Sequence, residues 1–318
     1  MWSFKCGLAR IAASLLVLAL GTGGTALAAE SYPSRPIEMI VTWGPGGGAD
    51  KTGRMLGKLL EPKLKVSIPV DNVAGSSGVT GLMKLIGGTG DGYQVGILTA
   101  DTLALLADPK PQRWNLKDVT PIAILTVQRS GFFMRVGGPF KSWADVEAKA
   151  KTAEFKVAVT GLGTPDDIAA EFLRKRGLKI VSVPYAKPSE RYAAVIGGHA
   201  DLLYEQAGDV RSFIESKQMA PVLFLASAKV KEFPDVPTSK DIGLGVTSLD
   251  QFRLIAVKSN TPSDRVKLLV EKVTEAVKSD EFRKYLEGEW ADPSGVIAGD
   301  AARTYVEQEI SALKKMIK

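Results

Sequence analysis

A strand that runs into a glycine turn and out again into a helix constrains this chain more than any other feature. Residues 37–41 form an apolar run, interrupted only by Glu38, that reads as a buried strand. The run breaks at Gly44-Pro45-Gly46-Gly47-Gly48, and a helical pattern opens at Ala49-Asp50. Glycines take up φ > 0 and let a ligand approach the backbone closely. The first turn of the helix carries unpaired N–H groups and the positive end of its dipole, so the unit is a ready anion site. The expectation is a turn that grips a small carboxylate outside the cytoplasm.

The same unit recurs downstream. A helix is expected over 49–61, stopped by Pro62, and a strand over 67–70 ending at Asp71-Asn72. The small-residue turn Ala74-Gly75-Ser76-Ser77-Gly78 leads into a helix over 79–85. A strand over 94–98 ends in the polar loop Thr99-Ala100-Asp101-Thr102, a helix N-cap candidate. This β-α-β-α-β alternation predicts a parallel sheet with right-handed crossovers. Ligands of such sheets lie beyond the carboxyl ends of the strands, where the three loops converge. Strands over 122–128 and 132–136 and a helix over 142–151 follow, and then the pattern restarts. A strand at 156–160 gives way to the loop Gly161-Leu162-Gly163-Thr164-Pro165 and a helix over 166–176. Strands at 179–183 and 200–204 flank the Pro184-Tyr185 loop and a helix over 189–196. Further strands are expected at 222–226 and 252–257, and residues 262–318 read as helices that return to cover the first lobe. Two α/β lobes with facing glycine loops describe a hinged binding protein with a ligand cleft between the lobes. Residues 29–127 plus 250–318 are expected to form lobe 1, and residues 128–249 lobe 2.

Composition narrows the class. A chain of 318 residues is long enough for two domains. Residues 1–28 read as a cleavable signal peptide: Lys5 and Arg10 precede a short apolar run at 11–20, and Ala26-Leu27-Ala28 is an A-x-A cleavage site. The run is short for a spanning helix, which needs about 20 residues, and the expected location is the periplasm. Cys6, the one cysteine, leaves with the leader, so no disulfide is expected. Cleavage also lowers the formal net charge of +6 by two, a mild balance that suits anionic small ligands. No basic block points to nucleic acid.

Several motifs have rival readings. Gly44-Pro45-Gly46-Gly47-Gly48-Ala49 matches G-x-G-x-x-A between strand and helix, with Asp71 at the end of the next strand, as in a dinucleotide fingerprint. Export argues against a soluble nicotinamide cofactor, and Pro45 stiffens the turn. A Walker motif fails because Lys51-Thr52 follows Asp50 rather than glycine. A tight turn without a ligand is the remaining alternative. His199, the only histidine, lies in a turn where a structural role is the commoner one; with no mature cysteine, nucleophilic triads and His/Cys metal sites lack material. Asp166 and Asp167 open a helix, where acids complement the dipole; with Asp101 they could instead recognise a ligand amine. Lys187 is either a solvated loop lysine or the partner of a second carboxylate. Trp43 is a pocket wall or simply packing.

Taken in order, these residues resemble the extracytoplasmic receptors of tripartite tricarboxylate transporters, the Bug (Bordetella uptake gene) family. The resemblance covers the mature chain. It rests on Tyr32-Pro33-Ser34-Arg35-Pro36-Ile37, Pro45-Gly46-Gly47-Gly48-Ala49-Asp50, Asp71-Asn72 with Gly75 and Gly78, Asp91-Gly92-Tyr93 and Gly161-Leu162-Gly163-Thr164. Val183-Pro184-Tyr185, Gly197-Gly198-His199-Ala200-Asp201, Pro234-Asp235-Val236-Pro237-Thr238 and Thr261-Pro262 complete it. It implies a two-lobed type II periplasmic-binding-protein-like fold that closes like a Venus flytrap on a di- or tricarboxylate, an acidic amino acid or an aromatic acid. Backbone N–H groups of Gly46, Gly47, Gly48, Ala49 and Asp50, and of Gly161, Gly163 and Thr164, would hold one carboxylate. Large and small membrane subunits would accept it. The chain departs from relatives at Thr42-Trp43, at Pro165-Asp166-Asp167 and at Lys187, which alters the far end of the pocket.

The expected function is therefore a monomeric, non-enzymatic solute receptor with no cofactor, metal or catalytic residue. Ser76, Thr99, Thr102, Thr164 and Tyr185 are expected to add side-chain bonds, Asp101, Asp167 and Lys187 to set specificity, and Trp43 and Pro45 to wall the ligand. The competing classes are an exported enzyme of small acids using Asp101 and Asp167 as acid and base, and a ligand-sensing periplasmic module.

Overall fold

The computed structural model describes residues 31–244 and 249–317; the expected signal peptide at 1–28 lies outside them. In chain order the first elements are β1 (Glu38–Val41), α1 (Gly48–Leu64), β2 (Val70–Asn72), α2 (Val79–Gly87), β3 (Gln94–Thr99), α3 (Ala100–Ala104) and β4 (Val119–Gln128). Then come β5 (Ser130–Arg135), α4 (Trp143–Thr152), β6 (Phe155–Val159), α5 (Pro165–Lys175), β7 (Ile180–Pro184), α6 (Pro188–Ile196), β8 (Leu202–Gln206), α7 (Arg211–Glu215) and β9 (Met219–Phe224). The last are β10 (Gln251–Lys258), α8 (Ser263–Val277), α9 (Asp280–Gly288), β11 (Ile297–Ala298) and α10 (Asp300–Ile317).

The strands form a six-stranded sheet, in order β11-β4-β10-β3-β1-β2, and a five-stranded sheet, β7-β6-β8-β5-β9. The result is a two-lobed α/β fold. Each sheet is parallel only along one side, β3-β1-β2 and β8-β6-β7, which ends at an edge strand. The β-α-β-α-β unit is thus parallel as expected, and the antiparallel strands lie outside it: β10 enters the first sheet antiparallel to β3 and β4, and β5 runs antiparallel to β8 and β9. Both are strands that have crossed from the other sheet, and a direct crossing brings a strand in reversed.

Period-two alternation divides the core. Met39, Val41 and Ile97 face Leu56 and Leu60 of α1 and Leu269, Val273 and Phe282 of α8 and α9. Ile40 and Leu98 face Leu82, Leu85, Val306 and Ile310 on the other side of the sheet. Phe132, Val157 and Leu202 pack on Trp143 and Leu173, and Phe133, Ala158 and Leu203 on Tyr192 and Val195. The C-terminal helix does more than cover the first lobe, because Leu313 at its end joins the core of the second sheet.

Proline accounts for most boundary differences. Pro62 does not stop α1, which runs on to Leu64 and closes with Lys65 N–H on the Glu61 carbonyl at 2.8 Å. So close to the end, a missing N–H costs the helix little. The strand expected at 67–70 is shifted to Val70–Asn72, because Pro69 accepts from Met39 N–H at 2.9 Å but has none to return. Pro121 and Pro221 were expected to lie outside or before strands, yet each sits inside one beside a register shift, and Pro221 is on the edge strand β9. The helical reading of 262–318 missed β11, a two-residue edge strand.

Candidate functional site

The glycine turn ends at the N-terminus of α1, with Gly46 at φ +84° and Gly47 as an extended N-cap that makes no side-chain cap bond. Asp50 fastens it. Its carboxylate accepts from Gly46 N–H at 3.0 Å, Asn72 Nδ2 at 3.0 Å and Arg54 Nε at 3.1 Å. Burial works to raise the Asp50 carboxyl, but bonds from Arg54, Gly46 and Asn72 outweigh it and hold the group below its ordinary value. The Asp50 side chain is thus committed to the turn, and what its residue offers a ligand is main-chain N–H.

Beyond this turn lies a cavity of about 40 Å³ between the two sheets. Trp43, Gly47, Gly48, Ala49, Thr99, Asp101, Gln251 and Arg253 line it from the first sheet. Thr160, Pro188, Arg191, Tyr192, Glu205, Gln206 and Asp209 line it from the second. Of the expected site residues, Trp43, Gly47, Gly48, Ala49, Thr99 and Asp101 are therefore brought together here. Pro45 and Gly46 are exposed and border a larger neighbouring space of about 370 Å³, shared with Lys51 and Phe213.

The other expected residues lie outside the cavity. Ser76 is exposed, and the Thr102 hydroxyl donates to the Ser77 carbonyl at 3.0 Å, fixing the second glycine turn. Gly161 abuts the Ser77 side chain, so the two lobes touch there, while the Thr164 hydroxyl closes its own loop on the Gly161 carbonyl at 2.5 Å. Asp167 accepts from Gly163 N–H at 2.9 Å and the Ser182 hydroxyl at 2.7 Å and pairs with Arg174. Tyr185 packs, half-buried, against the core under α6. Lys187 points to solvent and pairs with Glu190 at 3.2 Å.

Inside the cavity the chemistry is ionic. Trp43 Nε1 donates to the Thr99 hydroxyl at 2.9 Å, which donates to Asp101 at 3.2 Å; Gln251 Nε2 donates to the same carboxylate at 2.5 Å. Arg191 donates to Glu205 at 2.5 Å, with the Tyr192 hydroxyl on the same oxygen at 3.0 Å. Arg253 bridges Asp209 and Gln128. Behind the wall, Asp166 accepts from Thr160 N–H and the Thr160 and Thr164 hydroxyls. Burial, then the neighbouring Asp166 charge, pushes Asp101 up to about 7. Burial raises Asp166 too, against its threonine bonds, and lifts Asp209 to about 6 despite Arg253. Burial by itself would lower the two guanidiniums, but Glu205 keeps Arg191 and Asp209 keeps Arg253 above the ordinary value.

Several buried polar atoms of this cavity have no hydrogen-bond partner: Arg191 Nε and Nη1, Arg253 Nε, Asp209 Oδ1 and Gln251 Oε1. Leaving such atoms unmade costs about 1–3 kcal/mol each, which a bound polar molecule recovers. None of these residues was singled out from the sequence. Arg253 was legible in principle, as a charge set among the apolar residues of the strand QFRLIAVK. Glu205 and Gln206 end the strand LLYEQ just where a ligand of such a sheet should lie. Arg191 and Asp209 carry no comparable signal. Among the described residues no cluster of His, Cys, Asp and Glu can hold a metal ion, and no helix is long and apolar enough to cross a membrane.

A family model described as the tripartite tricarboxylate transporter family receptor matches residues 53–318. The chain is 27% identical over 304 residues to the protein BugT of Bordetella pertussis, covering 92% of this chain and 91% of that one. It superposes on MatC from Rhodopseudomonas palustris, solved with bound malate, with TM-score 0.80 at 19% identity, over 90% of this chain and 100% of the other. A second R. palustris protein, solved with adipate, gives TM-score 0.82 at 20% identity over 90% and 97%.

Proposed function

The chain belongs to the tripartite tricarboxylate transporter receptor family, and we propose that it captures a small carboxylate in the periplasm and delivers it to the large and small membrane subunits of such a transporter. One observation carries this reading: two guanidiniums, Arg191 and Arg253, are buried at 3% and 2% exposure in the cavity at the N-terminus of α1, with N–H groups unpartnered. Buried arginine donors next to helix N–H groups favour a carboxylate over any neutral solute. Malate and adipate in the two R. palustris proteins support the acid class. The signal peptide at 1–28 directs export, and the receptor acts as a monomer. Residues 29–127 with 250–318 form one lobe and 128–249 the other, a division supported by the strand sets of the two sheets. Closure of the lobes excludes water from the charged groups, and no bond of the ligand is broken.

The test is a thermal-shift screen of organic acids on the chain after refolding from denaturant, which strips any retained ligand. A binding acid raises Tm in proportion to RT ln(1 + [L]/Kd) and is recovered unchanged. If no acid of any size shifts Tm, or if the acid is converted, the receptor reading is wrong.

A further inference from the structure

The cavity offers more than an anion site. Its charges do not cancel. Glu205 pairs with Arg191 and Asp209 with Arg253, which leaves Asp101, and Asp166 just behind it, with no cation among their hydrogen-bond partners. A second carboxylate on the ligand would add negative charge to this surplus. The unpartnered atoms are also of two kinds. Arg191 and Arg253 contribute donors, but Gln251 Oε1 and Asp209 Oδ1 are acceptors, on residues 8% and 6% exposed. A plain acid satisfies the first kind and leaves the second unpaired.

We propose that the ligand is a monocarboxylate bearing a protonated α-amine, an α-amino acid, and that Asp101, Gln251 Oε1 and Asp209 Oδ1 recognise the ammonium. This rests on the carboxylate-receptor reading and narrows it. Asp166 is held by threonine donors on both oxygens, so Asp101 is the acid that faces the cavity and meets the cation. The sequence expectation that these acids recognise a ligand amine thus goes to Asp101, whereas Asp167 is committed to Gly163, Ser182 and Arg174. The amine also explains how so acidic a pocket binds a carboxylate: the ligand brings its own counter-charge.

Isothermal titration of the refolded chain uses matched probes: L-alanine against propionate, L-lysine against 6-aminohexanoate, succinate and citrate as multiple acids, and cadaverine as an amine without an acid. The expected result is that an α-amino acid binds at least about a hundredfold more tightly than its partner lacking the α-amine, since each buried acceptor left unpaired weakens binding by roughly tenfold or more. Asp101→Asn should bring that ratio to within about tenfold by weakening the amino acid. Binding of succinate, citrate or propionate as tight as that of the amino acids overturns the inference and leaves the receptor reading standing. Binding of cadaverine alone, or of no probe, overturns the inference, and the receptor reading falls with it only if the wider acid screen also finds no ligand. Should Asp101→Asn fail to fold, proton release by the wild-type chain decides. Asp101 faces Asp166 from α5, Glu205 from β8, Arg191 from α6 and Gln251 from β10. An ammonium beside Asp101, whose carboxyl burial pushes up to about 7, displaces the proton held there, so at pH 6 to 7 the amino acid's heat of binding should vary with buffer ionisation enthalpy. Heats independent of buffer overturn the inference.

Discussion

Two adjacent glycines do different work. A Cβ on Gly48 would run into the Asp209 carboxylate and the Arg253 guanidinium, so this residue lets the charged wall of the cavity close on the helix N-terminus. A Cβ on Gly47 would instead meet Pro188 of the second lobe at 2.8 Å. Gly48→Ala should therefore lower ligand affinity by about a hundredfold or more, because a methyl group cannot share that space with two buried side chains that hold each other. Gly47→Val should weaken binding by another route, holding the lobes apart at Pro188. Titration read together with the radius of gyration from solution scattering separates them. The ligand should compact the wild type but not Gly47→Val, and a Gly48→Ala variant with wild-type affinity would show that this approach is not needed.

The elements position the site through their ends. The glycine turn follows β1, Asp101 lies one residue beyond the start of α3, and Glu205 and Gln206 close β8. Each falls at the carboxyl end of a central strand, where unpaired backbone groups and loop freedom make room for ligands. The far end of α1 has no part in this and can be improved. Exposed Lys65 ends that helix in the left-handed region at φ 57°, ψ 28°. Relief of that strain is worth about 1–2 kcal/mol, against about 0.4–1 kcal/mol lost through the freer unfolded chain of a glycine. Lys65→Gly should thus raise unfolding stability by roughly 0.5–1 kcal/mol, measurable by urea denaturation, with ligand affinity unchanged. A loss of stability would mean that the Lys65 side chain contributes contacts of its own.

Over the whole molecule, the buried acids tie stability to pH. Asp101 is pushed up to about 7 and Asp209 to about 6, against about 3.8 for an ordinary aspartate. Between those limits the folded state binds more protons than the unfolded one, so stability falls as pH rises. It is fully present below about pH 4 and lost as pH passes through 7. Acids held low, such as Asp50 and Asp91, act oppositely but only below their ordinary value, outside this window. The urea midpoint of the unliganded chain should accordingly decline from pH 4 to 7, and Asp101→Asn should flatten the decline. A midpoint that rises across this range would mean that Asp101 is ionised throughout. Ligand should restore stability most at the upper end, where the acids are charged.

The sequence alone determined the architecture and one half of the site. Apolar runs of strand length, glycine turns and helical patterns are local signals, so the two lobes, the strand–turn–helix unit at Gly44–Asp50 and the placing of Trp43, Thr99 and Asp101 at strand ends were all legible. Prolines shifted boundaries because their effect depends on whether a neighbouring strand needs the missing N–H, and only the sheet order tells. The other half of the cavity was decided by tertiary structure. Arg191, Glu205, Asp209, Gln251 and Arg253 come from α6, the end of β8, the turn after it and β10, and only Glu205 and Arg253 carry any local signal. They become a site only when two sheets meet and remove them from water, because burial is what turns a scattered set of charges into partners and leaves a few of their atoms unpaired.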